Sequence, residues 1–475
     1  MDMFNPRRAG SLALALGFAF LLAGCASSPR SGAPGTQAPA PIQSGKADSA
    51  GGAQAGTAGE AEARLADLDF LCAGIKKRHP AFRENSPEAK GRVARFNGAA
   101  AALRGRLPGM RPDEVAVGLA ALVAGLGDEH SNLVIPAASM LPLDLYEFKE
   151  GVYVTGAPAD RPELLGKRLL AIDGVPIEGL RAGVATILAH GNESWLSCQA
   201  PYRYLIPEIL SGLGLVPAGE KNMRLSLADE SGSVTELELK ALTEDDPDPR
   251  MVAAAPAALA PGAPGAPPRA LPLSAQRTRE PYWCELVPGT KTLYLAYNSC
   301  REDPKRPMPA FVKEVEARLA SGSVDRVLVD LRRNGGGSSP LFWPMERLLS
   351  RHALHPARGA APIPVYVAIG RRTFSSAVLN AIELRQGNAI PFLAPSAKAT
   401  FVGEPSGGSP NHYGDKVSFS LPHSGFRVQC STKHFTMWKD PAALSLEPDH
   451  AIPVTWADWN AGADPVIDFV TGVKP

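Results

Sequence analysis

Thr373, Ser375 and Ser376 stand in the stretch TFSSAVL, directly after the apolar run Val365 to Ile369 and directly before Val378, Leu379, Ile382 and Leu384 at helical spacing. A serine at such a strand-to-helix turn lies beside backbone N–H groups that have no intrahelical partner and at the positive end of the helix dipole. If its hydroxyl attacked a carbonyl, the resulting oxyanion would form where donors already point. The same hydroxyl is equally suited to being a plain helix cap. Upstream, VDRVLVDLRRNGGG carries a second apolar strand (Val327, Leu328, Val329, Leu331) into Asn334, Gly335, Gly336 and Gly337. Consecutive glycines let the backbone approach a ligand and turn its N–H groups inward, as an oxyanion hole requires; they also make an ordinary tight turn. Serine is a weak nucleophile at neutral pH and needs a base such as imidazole. The chain has nine histidines, and their placement alone selects none.

Those residues need a sheet beneath them. Pro364 and Gly370 bound the run 365–369, as expected for a buried parallel strand, and Leu293 to Tyr297 supplies another before an amphipathic helix at Phe311 to Leu319. Strands alternating with helices predict an α/β domain with a mainly parallel sheet. Phe401 to Asp415, FVGEPSGGSPNHYGD, reads as a loop walling a cleft.

Three motifs in order resemble the S41 serine peptidases, the tail-specific and tricorn-like proteases. D-L-R-x-N-x-G-G is carried by Asp330, Leu331, Arg332, Asn334, Gly336 and Gly337. T-x-S-[SA]-A is carried by Thr373, Ser375, Ser376 and Ala377, and G-E-P-[ST]-x-G by Gly403, Glu404, Pro405, Ser406 and Gly408. The resemblance covers roughly residues 60 to 475 and implies a ClpP/crotonase-type catalytic domain. Ser375 would be its nucleophile, with Ser376 the neighbouring alternative, and the N–H groups of Gly335 to Gly337 and Ser376 its oxyanion hole. The family's D-x-H-[TS]-x-L matches Asp128, His130, Ser131 and Leu133, which makes His130 the implied base; by itself GDEHSNL is a polar loop after a helix. Some members use a lysine beyond G-E-P, where this chain has Ser409, so the serine–histidine arrangement is the one implied. The acid orienting the imidazole is placed at Glu447, with Asp449 and Glu404 as alternates.

At 475 residues the chain is long enough for two or three domains. A formal net charge of +1 without a basic run argues against a nucleic-acid partner. Arg7 and Arg8 precede an apolar run, Leu12 to Leu22, too short for a stable membrane span, and Leu22-Ala23-Gly24-Cys25 matches the bacterial lipobox. Residues 1–24 are therefore expected to be a lipoprotein signal peptide, with Cys25 lipidated. Ala26 after it favours the outer membrane, facing the periplasm. Residues 25–59 contain no aromatic residue and read as a disordered tether, about 34 residues reaching roughly 30 Å.

A helical segment is expected at 60–138. A β-rich domain at 142–243 follows, in which Gly166, Leu169, Ile172, Asp173 and Gly174 resemble the core of PDZ-like peptide-binding domains. A proline- and alanine-rich connector at 244–279 then leads to the catalytic domain at 280–475. With Cys25 lipidated, five cysteines remain in spacings that define no metal site, and phosphate-loop, H-E-x-x-H and paired C-x-x-C motifs are absent, so neither metal nor cofactor is expected. The whole reads as a lipid-anchored serine endopeptidase of the bacterial envelope acting on protein or peptide. The alternative is a non-catalytic protein of the same fold that binds peptide, cell-wall fragment or apolar ligand.

Overall fold

Three helices open the folded chain: α1 (Ala58–Arg78), α2 (Pro87–Arg106) and α3 (Pro112–Ala124). Ser86 caps α2 by accepting the N–H of Ala89, and proline occupies the first position of α2 and α3, where a missing N–H costs nothing. Leu68, Leu71, Ile75, Phe96, Leu103, Leu119 and Val123 are buried in one core. The last of these helices ends at Ala124; the chain beyond it runs through buried Asp128 to Ser131 into β1 (Asn132–Leu133). The computed structural model describes residues 58–253, 271–351, 361–386 and 399–472, so the signal peptide, Cys25, all but the last two residues of the tether and part of the proline-rich connector lie outside the described residues.

The next unit is a sheet built from β2 (Asp144–Phe148), β3 (Gly151–Pro158), β4 (Arg168–Ile172), β5 (Val175–Pro176), then β6 (Asn222–Ala228) and β7 (Val234–Lys240), with main strand order β2-β3-β4-β6-β7. It is less purely β than its sequence suggested. Between β5 and β6 lie α4 (Ile177–Ala185), α5 (Glu193–Arg203) and α6 (Pro207–Gly212). The connector also contributes, because β8 (Met251–Ala253) pairs antiparallel with β3.

The third unit holds β9 (Tyr282–Leu286), β10 (Thr292–Tyr297), α7 (Met308–Ala320), β11 (Arg326–Asp330), α8 (Trp343–Leu349), β12 (Val365–Ile369), α9 (Ser376–Gln386) and β13 (Thr400–Gly403). With the later β16 (His450–Ala451) these strands make a six-stranded sheet, β16-β13-β12-β11-β10-β9, parallel except for the β9–β10 pair. One face is covered by a core containing Phe311, Leu348, Val378 and Ile382, and the other by Val466, Ile467 and Val470 of α11 (Pro465–Thr471). The short α10 (Trp456–Asn460) precedes α11. The expected loop 401–415 is a loop only between two strands: β13 ends at Gly403 and β14 (Asn411–Ser420) begins a long hairpin with β15 (Arg427–Thr436). β1 pairs with β15, so the segment after His130 is stitched to the C-terminal part of the chain.

Candidate active site

The turn after β12 is fixed from below. Thr373 Oγ1 donates to the Leu331 carbonyl at 2.9 Å and accepts the Gly370 N–H at 3.0 Å. Asn334, fully buried, gathers both motifs: its carbonyl accepts the Phe374 N–H at 3.0 Å, its Oδ1 accepts the Gly336 N–H at 2.9 Å, and its Nδ2 donates to the Tyr297 carbonyl at 2.9 Å. Asp330 and Arg332 of the first motif are a structural lock, since Arg332 bridges Asp330 (2.7 Å) and Asp464 (2.8 Å). The part of Asp464 was invisible in the sequence, being more than a hundred residues away.

On this frame Ser375 has φ 54°, a left-handed conformation rare for a residue with a Cβ. α9 starts at the next residue, so the N–H of Ser376 meets no intrahelical acceptor. The two serines are not equivalent. Ser376 Oγ donates to the Gly337 carbonyl at 2.7 Å, whereas the Ser375 hydroxyl makes no hydrogen bond to the described residues.

The glycine loop lies against this turn. Gly336, at φ 100°, is so close that a Cβ on it would stand 2.7 Å from Ser375 Cβ and 3.1 Å from Ser376 N. Of the expected oxyanion donors, the N–H of Gly336 is committed to Asn334, which corrects its assignment in this conformation. A Cβ on Gly335 would meet open space.

His130 is brought to the same place from the far end of the chain. Its imidazole stacks on Phe374, centroids 4.5 Å apart, and on its other face His412 lies parallel at 5.1 Å. Trp195 stacks on the opposite side of Phe374 at 4.0 Å, making a run of four rings. Burial and the neighbouring His412 push the His130 pKa down to about 3, Asp128 only partly opposing them, and neither ring nitrogen has a hydrogen-bond partner among the described residues. Asp128 instead holds the loop: its carboxylate accepts from the His130 N–H (2.9 Å), His79 Nε2 (3.1 Å) and Ser131 Oγ. Burial alone would raise the Asp128 pKa, but those partners hold it well below the usual carboxylate range.

None of the three expected acids reaches the imidazole. Glu447 is exposed, and it is its carbonyl that meets Arg385. Asp449 accepts the Phe401 N–H and pairs with Arg385, and Glu404 pairs with Arg371 at 2.7 Å. The placement of Glu447 beside His130 is therefore corrected: the acidic turn 447–449 serves the sheet edge at β13 and β16. The carboxyl that does lie in the site, Glu129, was overlooked, although it directly precedes His130. It hydrogen-bonds Ser409, and burial raises its pKa to about 7.

A cavity of about 890 Å³ adjoins the ring stack, walled by Trp195, Glu129 and Arg371 and by apolar Leu133, Leu143 and Ile206. Among the described residues no cluster of His, Cys, Asp and Glu could hold a metal, and the five cysteines there are all free thiols.

Neither a protein-family model nor a curated protein matches the chain. Solved structures do. Mature CPAF complexed with lactacystin matches at TM-score 0.58 and 14% identity, over 86% of this chain and 98% of that one. Mature CPAF itself gives TM-score 0.57 at 15% identity over 86% and 96%. The photosystem II D1 C-terminal processing protease follows at 0.38 and 15% over 82% and 93%, a superposition too loose to add weight. Identities this low speak to the fold alone. The glycine loop and the serine turn follow the carboxyl ends of the adjacent parallel strands β11 and β12, and the chain has the fold of mature CPAF.

Proposed function

We propose that the chain is a serine peptidase in which Ser375 attacks the scissile carbonyl and His130 takes its proton and returns it to the leaving amine. The observation that carries this reading is Ser375 itself: a left-handed serine at the head of a helix, its hydroxyl without a hydrogen bond among the described residues, packed against Gly336 and one residue from the ring on which His130 lies. Left-handed backbone at a residue with a Cβ costs roughly 1–2 kcal/mol, which a plain cap would not need. The N–H groups of Ser376, Gly335 and Gly337 are the proposed oxyanion donors. Near neutrality the imidazole is uncharged, with one ring nitrogen free to accept a proton, but it lies stacked, so substrate entry has to turn that nitrogen toward Ser375 before it serves as base.

Lipidation at Cys25 and a place in the bacterial envelope belong to the proposal, on the strength of the lipobox. Labelling with a palmitate analogue, absent in Cys25→Ala, tests that part. The peptide-bond chemistry is tested by fluorophosphonate labelling of the full-length protein with peptide mapping. A label on Ser375 that disappears in His130→Ala supports the pair, and a label on Ser376 moves the nucleophile by one residue.

One observation favours the non-catalytic reading: among the described residues no carboxylate hydrogen-bonds either nitrogen of His130, while a large cavity stands beside it. An unlabelled but folded protein would support that reading.

A further inference from the structure

We propose that Glu129 is the positioning carboxylate of this site, the group that holds the His130 loop against the shelf beneath Ser375. The inference rests on the reading of Ser375 and His130 above. Glu129 is 7% exposed. Its Oε1 accepts from Ser409 Oγ at 2.7 Å and from the Gly191 N–H at 3.1 Å, and its Oε2 accepts from the Ser409 N–H at 3.3 Å. Ser409 follows Gly408, which lies so close under the serine turn that a Cβ there would stand 3.1 Å from Ser375 N.

One side chain thus joins three segments that are far apart in sequence. The first carries His130, the second supports Ser375, and the third leads through Asn192 into α5, whose Trp195 stacks on Phe374. Steric fit makes the join specific, because a Cβ at Gly191 would come 2.3 Å from Glu129 Oε1. The other acids nearby are already spoken for: Asp128 faces His79 and Ser131, and Glu404 faces Arg371. Ser409, at the position where serine–lysine enzymes would have their base, is here only a donor to a carboxylate.

The clamp has a charge dependence. Its three bonds all come from donors, which an ionised carboxylate accepts strongly and a protonated one weakly, since its oxygens then bear no charge and one carries hydrogen. Around Glu129 the loop itself contributes Asp128, whose charge adds to burial in raising the pKa to about 7. The opposing elements contribute neutral Ser409 and Gly191, with His412 beyond Ser409, its Nδ1 on the Ser409 carbonyl and its own pKa lowered by burial. The clamp therefore tightens as pH rises through the neutral range.

The test is the rate of fluorophosphonate labelling of Ser375 in the full-length protein between pH 5 and 9, in wild type, Glu129→Gln and Ser409→Ala. Wild type is expected to gain about tenfold across the neutral range, and Glu129→Gln to be slow and flat over the same range. Ser409→Ala, which removes one of the bonds favouring the ionised form, is expected to move the midpoint upward, and it carries the test if Glu129→Gln does not fold. A rise that survives Glu129→Gln, or a midpoint unmoved in Ser409→Ala, overturns the positioning role alone. Wild-type protein that is never labelled overturns the peptidase reading and this inference with it.

Discussion

The imidazole of His130 lies against the ring of Phe374, centroids 4.5 Å and planes 28° apart, and Phe374 is the residue directly before Ser375. The proposed base and nucleophile are thereby held in register by packing, not by a hydrogen bond. Because the contact is non-directional, the ring can rotate or slide without breaking a polar interaction, and its place is set by what closes the other face, His412.

Replacing that second ring by one that never carries charge, His412→Phe, keeps the sandwich and removes one of the three causes that lower the His130 pKa, burial and Lys416 being the others. The His130 pKa is expected to move up from about 3 while remaining below its ordinary value, since burial persists. NMR titration of the histidine ring signals reads it; an unmoved value would mean that His412 has no part in the shift and that burial and Lys416 set it.

Ser375→Ala and Ser375→Gly remove the same hydroxyl and should both lower peptide hydrolysis by roughly a thousandfold or more. They differ in stability. At φ 54° alanine keeps the left-handed strain and glycine does not, so the glycine variant is expected to be the more stable by about 1 kcal/mol, read from denaturant midpoints.

Gly336→Ala would place a methyl group 2.7 Å from Ser375 Cβ and 3.0 Å from the Phe374 carbonyl, on backbone at φ 100°. Something must shift, and the serine turn is what stands there. The expected result is a loss of about 1–3 kcal/mol in stability together with lost labelling at Ser375. Gly335→Ala, which points into open space, should leave stability nearly unchanged.

Glu346, 1% exposed beneath the serine turn, accepts from Asn380 Nδ2 at 3.0 Å and has its pKa raised to about 10, by burial first and then by Glu383. A carboxyl that is neutral when folded and ionised when unfolded makes stability fall with pH. Its contribution is fully present below the ordinary value near 4.5 and is lost as pH rises toward 10, by up to about 1.4 kcal/mol per pH unit. Glu346→Gln, which keeps the acceptor for Asn380, should stabilise the protein at pH 8 and flatten that decline. Chemical denaturation at pH 5 and pH 8 checks the sign.

The sheet was legible because its strands are short apolar runs between breakers: Pro364 and Gly370 bound Val365 to Ile369, and β12 has those limits. The hairpin of β14 and β15 was not, since its alternation is brief, Val417 and Phe419 in one strand and Val428 and Cys430 in the other, and the rest of each strand is mostly polar. In the site, motif spacing pointed to Ser375, the glycine loop and His130, all of which the fold assembles. Phe374, His412 and Trp195 escaped because a ring stack has no sequence signature; it is made by residues that meet only after three units have docked. Glu447 was a mistaken choice of the same origin, an acid judged by its motif when its neighbours are set by the sheet edge.

β1 follows His130 by two residues and is paired with β15, near the end of the chain. The loop bearing the proposed base is thus anchored to residues made about three hundred positions later. During synthesis, every intermediate shorter than that hairpin lacks the anchor, whatever else has folded. Full assembly of the site is consequently a terminal event in biogenesis, and a chain truncated before residue 427 would carry Ser375 and His130 without the strand pairing that brings them together.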